Sequence, residues 1–185
     1  MSLFVKTESN FEKATPGMVD AICIAVADIG TQMTRFNEVE KPQHQVMICW
    51  KIAQLMQEGE RAGENFIMCK RYHYTLDARS TLSKDMESWF ARKISDEVRN
   101  AGFDLETLVG KKCTLNLMES QNGSYTNINS VLPAMGSNVM AVSDTELPPK
   151  AIAKAIERSV EHQAKAANDF GQSDPFADTT DDMPF

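Results

Sequence analysis

Residues 44–52 read His-Gln-Val-Met-Ile-Cys-Trp-Lys-Ile, and this stretch decides the fold class of the chain. The apolar side chains of Val46, Ile48 and Trp50 occupy every second position. Such a two-residue period is typical of a half-buried β-strand, because successive side chains point to opposite faces of a sheet. The sequence therefore predicts a strand here, in a protein that is mainly β.

Further predicted strands flank this segment. A β-rich run at 18–28 precedes it and closes at Asp28-Ile29-Gly30, which reads as a turn. The polar, glycine-containing segment 57–63 follows and reads as a hairpin loop, and an aromatic-rich strand is expected at 65–76. The first half of the chain thus contributes three consecutive strands.

After the third strand the period changes from that of a strand to that of a helix. Ser80 is a suitable N-cap for a helix, and short helical pieces are expected at 95–100 and 103–110. The apolar side chains that share one face of the first helix are Leu82, Met86, Trp89 and Phe90. Trp89 and the strand residue Trp50 are both expected to pack in the core.

The strand period returns at 111–118 and 125–132, and the two segments are joined by an Asn122-Gly123 turn that is typical of a β-hairpin. A last helix is expected at 150–167, with an apolar stripe that must pack against the sheet or against a second subunit. A homo-oligomer is therefore left open.

Three strands, a helical insert, two strands and a helix give the chain order of the five-stranded Greek-key barrel of oligonucleotide-binding (OB) folds. We predict an OB-fold-like barrel with the helical insert between strands 3 and 4, and a β-sandwich with an inserted helix is the alternative. The predicted domain covers residues 1–168, and a disordered acidic tail covers 169–185.

The charge distribution separates the tail from the body. All 19 Lys and Arg residues of the 185-residue chain precede residue 169, whereas five of the 26 Asp and Glu residues follow residue 168. The body is thus nearly neutral despite a net charge of −7, which permits a local basic groove. No apolar run is long enough to cross a membrane, and no export signal is seen, so a cytoplasmic protein is expected (in the host cell if phage-encoded).

The sequence contains no recognisable catalytic or metal-binding pattern. The three histidines fall in separate elements, and no phosphate loop or nucleophile elbow occurs. Asp28 and Asp77 are more typical of turns than of an acid–base pair. The four cysteines are scattered, so in a reducing cytoplasm they are expected to be small core side chains. We expect no enzyme activity, no cofactor and no metal.

The third strand contains the densest mixture of basic and aromatic residues, Lys70-Arg71-Tyr72-His73-Tyr74. Phe66 and Met68 share a face with the two tyrosines, which indicates that this face is buried. Arg71 and His73 are then expected on the exposed face, as candidates for contact with a nucleic acid. The alternative of core tyrosines beside a solvated basic edge stays open.

The hairpin of strands 4 and 5 presents a polar face with a cation, an aromatic ring and small hydrogen-bonding side chains. Its members are Lys112, Thr114, Asn116, Tyr125, Asn127 and Asn129. Such a face can hold a phosphate and stack one base, although an ordinary solvated sheet is the alternative. The predicted DNA-binding residues are Lys51, Arg71, His73, Lys112, Asn116, Tyr125 and Asn127.

An ordered series of motifs runs through residues 15–135 and carries a resemblance. It comprises Ala27-Asp28-Ile29-Gly30-Thr31-Gln32, Lys41-Pro42-Gln43-His44-Gln45-Val46, Lys70-Arg71-Tyr72-His73-Tyr74-Thr75-Leu76, Ser80-Thr81-Leu82, Phe103-Asp104-Leu105 and Leu108-Val109-Gly110-Lys111. The series resembles a family of tailed-bacteriophage and prophage single-stranded DNA-binding proteins. The resemblance implies an oligonucleotide-binding barrel that coats single strands during phage replication or recombination.

The final residues resemble a second group. Bacterial single-stranded DNA-binding proteins end in an acidic segment closing with Asp-Asp-x-Pro-Phe, and the resemblance implies that Pro-Phe fills an apolar pocket on replication, recombination and repair enzymes. Preceding aspartates steer such a peptide toward basic surfaces. We expect docking of partner proteins by Asp181, Asp182, Met183, Pro184 and Phe185. An acidic, aromatic tail is also expected to compete with DNA for its own protein's groove.

These observations together predict a sequence-independent single-stranded DNA-binding protein that recruits partners through its tail. One alternative is a recombination mediator or strand-annealing protein, which shares the strand-binding surface but promotes pairing. The other is a protein-interaction adaptor that uses the tail and binds no nucleic acid.

Overall fold

The computed structural model describes residues 12–136, 138–142 and 149–171. The elements run in the order β1 (Gly17–Phe36), β2 (Val39–Leu55), β3 (Asn65–His73), α1 (Thr81–Trp89), α2 (Asp96–Ala101), a 3₁₀ turn (Leu105–Leu108), β4 (Lys112–Glu119), β5 (Thr126–Pro133), α3 (Lys150–Glu157) and α4 (Val160–Gly171). The protein is mainly β, and the predicted order of strands and helices is confirmed.

All five strands belong to one open antiparallel sheet in the order β3-β2-β1-β4-β5. β1 is central because it pairs with β2 along most of its length and with β4 over its first six residues, Gly17–Ile22. The two edge strands, β3 and β5, approach one another. In the part of the chain that the structure describes, the strands do not divide into the two sheets of a sandwich.

The main core lies on the inner face of the sheet, which we define as the face that packs against α1. Val46, Ile48 and Trp50 point into this core with exposed fractions of 2%, 1% and 0%, as predicted. The strand is not half-buried, however, because the residues of its other face, Gln45, Met47 and Cys49, are buried as well. Burial of each such side chain stabilises the fold by about 1.5–3 kcal/mol. Trp89 of α1 is also buried and lies 6.0 Å from Trp50 between ring centroids, so both tryptophans are core residues as predicted.

A smaller apolar cluster lies on the opposite, outer face. Ile152 and Ala155 of α3 are buried there with Ile29, Met47 and Cys49 of the sheet. The stripe of the predicted C-terminal helix therefore packs against the sheet of its own chain. This helix covers the part of the outer face that the middle of β1 and β2 forms.

Two of the four cysteines are joined, contrary to expectation. Cys49 and Cys69 are directly opposite one another on β2 and β3, with 4.1 Å between their Cα atoms, and form a disulfide. The prediction of separate thiols is wrong for this pair, because strand register brings together two residues that are distant in sequence. Cys23 and Cys113 are buried free thiols, as predicted.

β1 and β2 extend well beyond the predicted strands as a two-stranded ribbon. Thr31–Phe36 pairs with Val39–His44, after a register shift between Asp28 and Thr31. The ribbon turns at Asn37 and Glu38, whose φ angles of 49° and 65° match the left-handed geometry of a tight hairpin turn. Gly30 therefore does not end the first strand.

The helical insert begins as predicted but exposes one residue that was expected inside. Ser80 Oγ accepts a 3.1 Å hydrogen bond from the Ser83 N–H and so caps α1. Leu82 and Met86 are buried, whereas Phe90 is 43% exposed. Phe90 is the C-cap residue, so the chain leaves the helix before its ring can turn inward.

The predicted helix at 150–167 is divided into α3 and α4. Ser159 Oγ accepts a hydrogen bond from the His162 N–H, so Ser159 caps α4. α4 ends at Gly171 and therefore passes the predicted domain boundary at 168. The predicted tail beyond Gly171, with the docking residues 181–185, lies outside the described residues. Among the helices that the structure describes, none has the length and apolarity needed to span a bilayer.

Candidate nucleic-acid interface

Two of the predicted DNA-binding cations, Lys51 and Lys112, lie level with each other on the outer face of the sheet. Ile22 of β1 pairs with Lys51 of β2 on one side and with Lys112 of β4 on the other. The two lysines therefore lie on the same face, about 10 Å apart, which is two strand spacings. Lys51 was predicted to contact DNA, and the register of the strands brings it level with Lys112.

The position of Lys112 is fixed by the segment that follows β5. Its Nζ donates a 2.7 Å hydrogen bond to the backbone carbonyl of Asn138. The buried Asn138 side chain in turn donates to the carbonyls of Ala21 and Cys113, at 3.1 Å each. Asn138 was not singled out from the sequence, because its role depends on a contact with two distant strands.

The polar face continues along β4 and β5. Asn116 pairs with Met18 and with Ser130, and Asn127 pairs with Met118. Lys112 to Met118 spans six residues of strand, or about 20 Å. We call the surface formed by Lys51, Lys112, Asn116, Asn127 and Tyr125 the polar strip.

Two residues of the predicted polar face do not join the exposed surface as expected. Thr114 is buried, and its hydroxyl accepts a 3.2 Å hydrogen bond from the Met135 N–H. The register shifts between Asn116 and Leu117, so that Ser130 and not Asn129 lies opposite Asn116. A β-bulge of this kind inserts one residue and interrupts the alternation on which the prediction relied.

Tyr125 lies at the end of the β4–β5 turn with its side chain 68% exposed. Its backbone is held at both ends: its N–H donates to Ser120 Oγ at 3.0 Å, and its carbonyl accepts from the Ser120 N–H at 2.8 Å. Gly123 adopts a φ of 67° in the turn, as the Asn122-Gly123 signal predicted. A solvent-facing aromatic ring on a fixed backbone is suited to stacking on a flat ligand.

Arg71 and His73 are exposed as predicted, but they lie away from the polar strip. Arg71 pairs with Met47 and is four residues along β3 from Ile67, the partner of Lys51. This separation is about 13 Å, and that of His73 is about 20 Å. The apolar cluster under α3 lies on the same face of β1 and β2. These two residues are therefore not part of a single cluster with the two lysines.

The inward-facing members of the basic–aromatic segment have structural roles. Lys70 Nζ lies 2.6 Å from Asp85 Oδ2, and the Tyr72 hydroxyl donates to the same oxygen at 2.8 Å. Tyr74, in contrast, is 55% exposed and stacks on His44 with 4.7 Å between ring centroids, which corrects its assignment to the buried face. β3 ends at His73, so Tyr74 no longer follows the alternation of the sheet.

The carboxylate of Asp20 interrupts the polar strip. Asp20 lies on the outer face of β1, two residues before Ile22, and pairs with the buried Thr114 of β4. It is half-buried, and its carboxylate contributes to the raised pKa of Cys113, for which burial is the larger cause. A negatively charged ligand on the strip therefore meets both lysines and this carboxylate.

The described residues contain no group of three or more His, Cys, Asp or Glu side chains placed to hold a metal ion. Asp28 and Asp77, the two carboxylates considered as a pair, have different partners. Asp28 Oδ1 is 2.7 Å from His44 Nε2, whereas Asp77 Oδ1 accepts from the Arg79 N–H at 2.8 Å. Each carboxylate thus interacts with its own neighbour, and the two do not form a pair.

Comparison with known proteins gave no family. No protein-family model matches the chain, and a search of curated proteins found no match.

Proposed function

We propose that this chain is a sequence-independent single-stranded DNA-binding protein without catalytic activity, which acts in phage DNA replication, recombination or repair. The observation that carries the proposal is the alignment of Lys51 and Lys112 across Ile22, at one end of a polar strip that leads to Tyr125. Binding of a single strand requires cations for the phosphates and an aromatic ring for the bases, and the strip supplies both.

The strand order supports the same proposal. An OB fold is a five-stranded Greek-key barrel, and an open sheet in the order β3-β2-β1-β4-β5 with helices between β3 and β4 is what remains when such a barrel is opened between β3 and β5. The two edge strands approach one another, as closure of a barrel requires. We therefore propose an OB-like barrel as the finer description of this sheet.

The side chains of the polar strip favour binding without sequence preference. Lys112 and Lys51 offer point charges to phosphates, and Asn116 and Asn127 offer single amide groups. Stacking of a base on Tyr125 contributes about 1–3 kcal/mol and tolerates any base, because every base has a flat π-face. Affinity is then set mainly by phosphate contacts and stacking.

The acidic tail completes the proposal. Residues 181–185, which lie outside the described residues, are proposed to dock on replication, recombination or repair proteins through the Pro-Phe pair. The likeness of this ending to that of bacterial single-stranded DNA-binding proteins supports the assignment. A protein so equipped holds a single strand and recruits a partner to it.

The test is a titration of the full chain with oligothymidylate at about 50 mM and about 200 mM salt, with duplex DNA of the same length as the control. We expect preference for the single strand and an affinity that falls with salt by a logarithmic slope of about −0.7 per phosphate contact. Equal affinity for duplex and single strand would contradict the proposal. Faster pairing of complementary strands in the same samples would indicate an annealing protein instead.

A further inference from the structure

A groove with an apolar lining opens between α1 and α2. Its volume is about 430 Å³, and Met86, Ile94 and Val98 contribute apolar side chains to its lining. Two aromatic side chains, Phe90 and Phe103, also line it, with exposed fractions of 43% and 37%. The groove therefore presents flat apolar surface to solvent. It belongs to the helical insert, whereas the polar strip belongs to the sheet.

Phe90 is already part of an aromatic stack. Its ring lies 5.2 Å from that of Trp89, with an angle of 9° between the two planes. Trp89 is buried at 4% exposure and covers one face of Phe90, so the exposed part of Phe90 faces away from the core. A flat ring placed on that side would extend the Trp89–Phe90 stack by one member.

The backbone beside Phe90 is held in an unusual conformation. Ala91 has a φ of 49°, in the left-handed region that L side chains rarely adopt. Its N–H donates to the Ser88 carbonyl at 3.2 Å and the Arg92 N–H donates to the Glu87 carbonyl at 3.0 Å, which is the pattern of a Schellman motif. This turn fixes Phe90 and Arg92 at the rim of the groove.

The rim of the groove is positively charged. Arg92 and Lys93 line it and also line a neighbouring depression to which Lys84 contributes, and all three are exposed. Glu87 is the acidic residue in that depression, and it is paired with Arg99 at 2.8 Å and with Lys93 at 3.0 Å. Hydrogen bonds from the Ile94 N–H and from Lys93 hold the pKa of Glu87 below its usual value. Cations thus exceed anions around the opening.

Trp89 anchors α1, which forms one wall of the groove, to the backbone of β4. The indole N–H of Trp89 donates a 2.9 Å hydrogen bond to the carbonyl of Lys112, whose ammonium group is a cation of the strip. α1 packs on the inner face of the sheet and the polar strip lies on the outer face, so this hydrogen bond does not join the two surfaces. The positive rim favours an anionic ligand, and the exposed rings of Phe90 and Phe103 favour one that carries flat rings.

We propose that the groove between α1 and α2 is a base-stacking site for single-stranded DNA. A base stacks on the exposed side of Phe90, and Arg92 and Lys93 contact the phosphates that flank it. This inference rests on the proposed function, and it adds a stretch of the strand's path that the sheet does not provide.

The experiment compares the full chain with the variants Phe90→Leu, Phe90→Trp and Arg92→Gln/Lys93→Gln. Leucine keeps the apolar volume but lacks a flat face, so we expect Phe90→Leu to weaken oligothymidylate binding by about 5- to 150-fold, which corresponds to a lost stack of about 1–3 kcal/mol. Phe90→Trp should retain the affinity. Thermal melting of each variant shows whether it is folded. An oligonucleotide with 5-iododeoxyuridine, irradiated in complex with the unmodified protein, should cross-link to Phe90 or Phe103.

The outcomes are separable. If the unmodified chain binds no single strand, both proposals fail. If it binds, but Phe90→Leu binds equally well and no cross-link maps to the groove, the groove proposal alone fails. A further measurement tests whether a synthetic peptide of residues 172–185 binds the protein. Binding of that peptide, lost in Phe90→Leu while DNA affinity stays unchanged, would assign the groove to an acidic peptide and overturn the inference.

Discussion

The hydroxyl of Tyr72 donates a 2.8 Å hydrogen bond to Asp85 Oδ2, and this bond joins β3 to α1. Lys70 reaches the same carboxylate oxygen at 2.6 Å. Burial, and then the Asp85 carboxylate, raise the pKa of Tyr72 well above its usual value, so the hydroxyl remains a donor at any ordinary pH. The three side chains hold the helical insert on the sheet.

Replacement of Asp85 should therefore loosen this attachment. We expect Asp85→Ala to lower the free energy of unfolding by about 3 kcal/mol, because it leaves the Lys70 charge and the Tyr72 hydroxyl without an acceptor. Asp85→Asn keeps an acceptor for Tyr72 and should cost less. Urea denaturation measures both, with the exposed Asp96→Ala as the control. Equal losses in Asp85→Ala and Asp96→Ala would contradict this role.

The left-handed residue after α1 gives a second stability prediction. Ala91 occupies the position where helices that end in a Schellman motif usually have glycine, since glycine has no Cβ to clash with the following carbonyl. Ala91→Gly should raise the free energy of unfolding by about 1 kcal/mol. Ala91→Val, which adds a β-branched side chain at the same φ, should lower it. A valine variant as stable as the glycine variant would show that the backbone relaxes there.

The two buried thiols give a prediction about pH. Burial raises the pKa of Cys23 from 9.0 to about 12, and burial also raises that of Cys113. Above pH 9 the thiols of the unfolded chain ionise while those of the folded chain stay protonated. Their contribution to stability is thus complete below pH 9 and is lost as the pH rises toward 12. Between about pH 8 and about pH 10.5, the Tm should fall more in the unmodified chain than in Cys23→Ala/Cys113→Ala. Equal falls in Tm for the two proteins would contradict the role of the buried thiols in the pH dependence.

The ribbon of β1 and β2 shows where sequence patterns stop being informative. Strand 44–52 was predictable because its inner face carries an apolar residue at every second position, although α3 also buries Met47 and Cys49 on its outer face. Thr31–Phe36 and Val39–His44 pair with each other beyond the rest of the sheet, so no core imposes such a pattern on them. Gly30 read as a strand end, but it accommodates the close approach of Ser159, whose Cβ would lie 3.1 Å from a Cβ at this position.

The candidate site was predictable in its residue types but not in its arrangement. Alternation placed Lys112 and Asn116 on a polar face, and the Asn122-Gly123 turn placed Tyr125 at its end. The alignment of Lys51 with Lys112, the disulfide of Cys49 with Cys69 and the shift that places Ser130 opposite Asn116 all depend on register between strands. Register is set by three-dimensional packing, so a single sequence does not reveal it.

The charges along the polar strip give opposite predictions for two neighbouring positions. Lys112→Gln should weaken oligothymidylate binding and reduce the logarithmic salt slope by about 0.7, the value for one phosphate contact on a single strand. Asp20→Asn removes the carboxylate of the same face and should tighten binding, with the gain largest at low salt. Lys165→Gln, an exposed change on α4, is the control. The strip is not the path of the strand if Lys112→Gln and Lys165→Gln have equal effects.

Tyr125 provides the test of stacking on the sheet. Its ring is 68% exposed and its backbone is fixed by Ser120, so removal of the ring should not disturb the hairpin. Tyr125→Ala should weaken single-strand binding by about 5- to 150-fold, as expected for a lost stack of about 1–3 kcal/mol. The loss should persist at high salt because stacking is not a phosphate contact. Tyr125→Phe keeps the flat ring and should bind nearly as well as the unmodified chain. Fluorescence anisotropy at two salt concentrations distinguishes these results. Unchanged affinity in Tyr125→Ala would move the base contacts away from the sheet, whereas a loss equal in Tyr125→Ala and Tyr125→Phe would assign the effect to the hydroxyl.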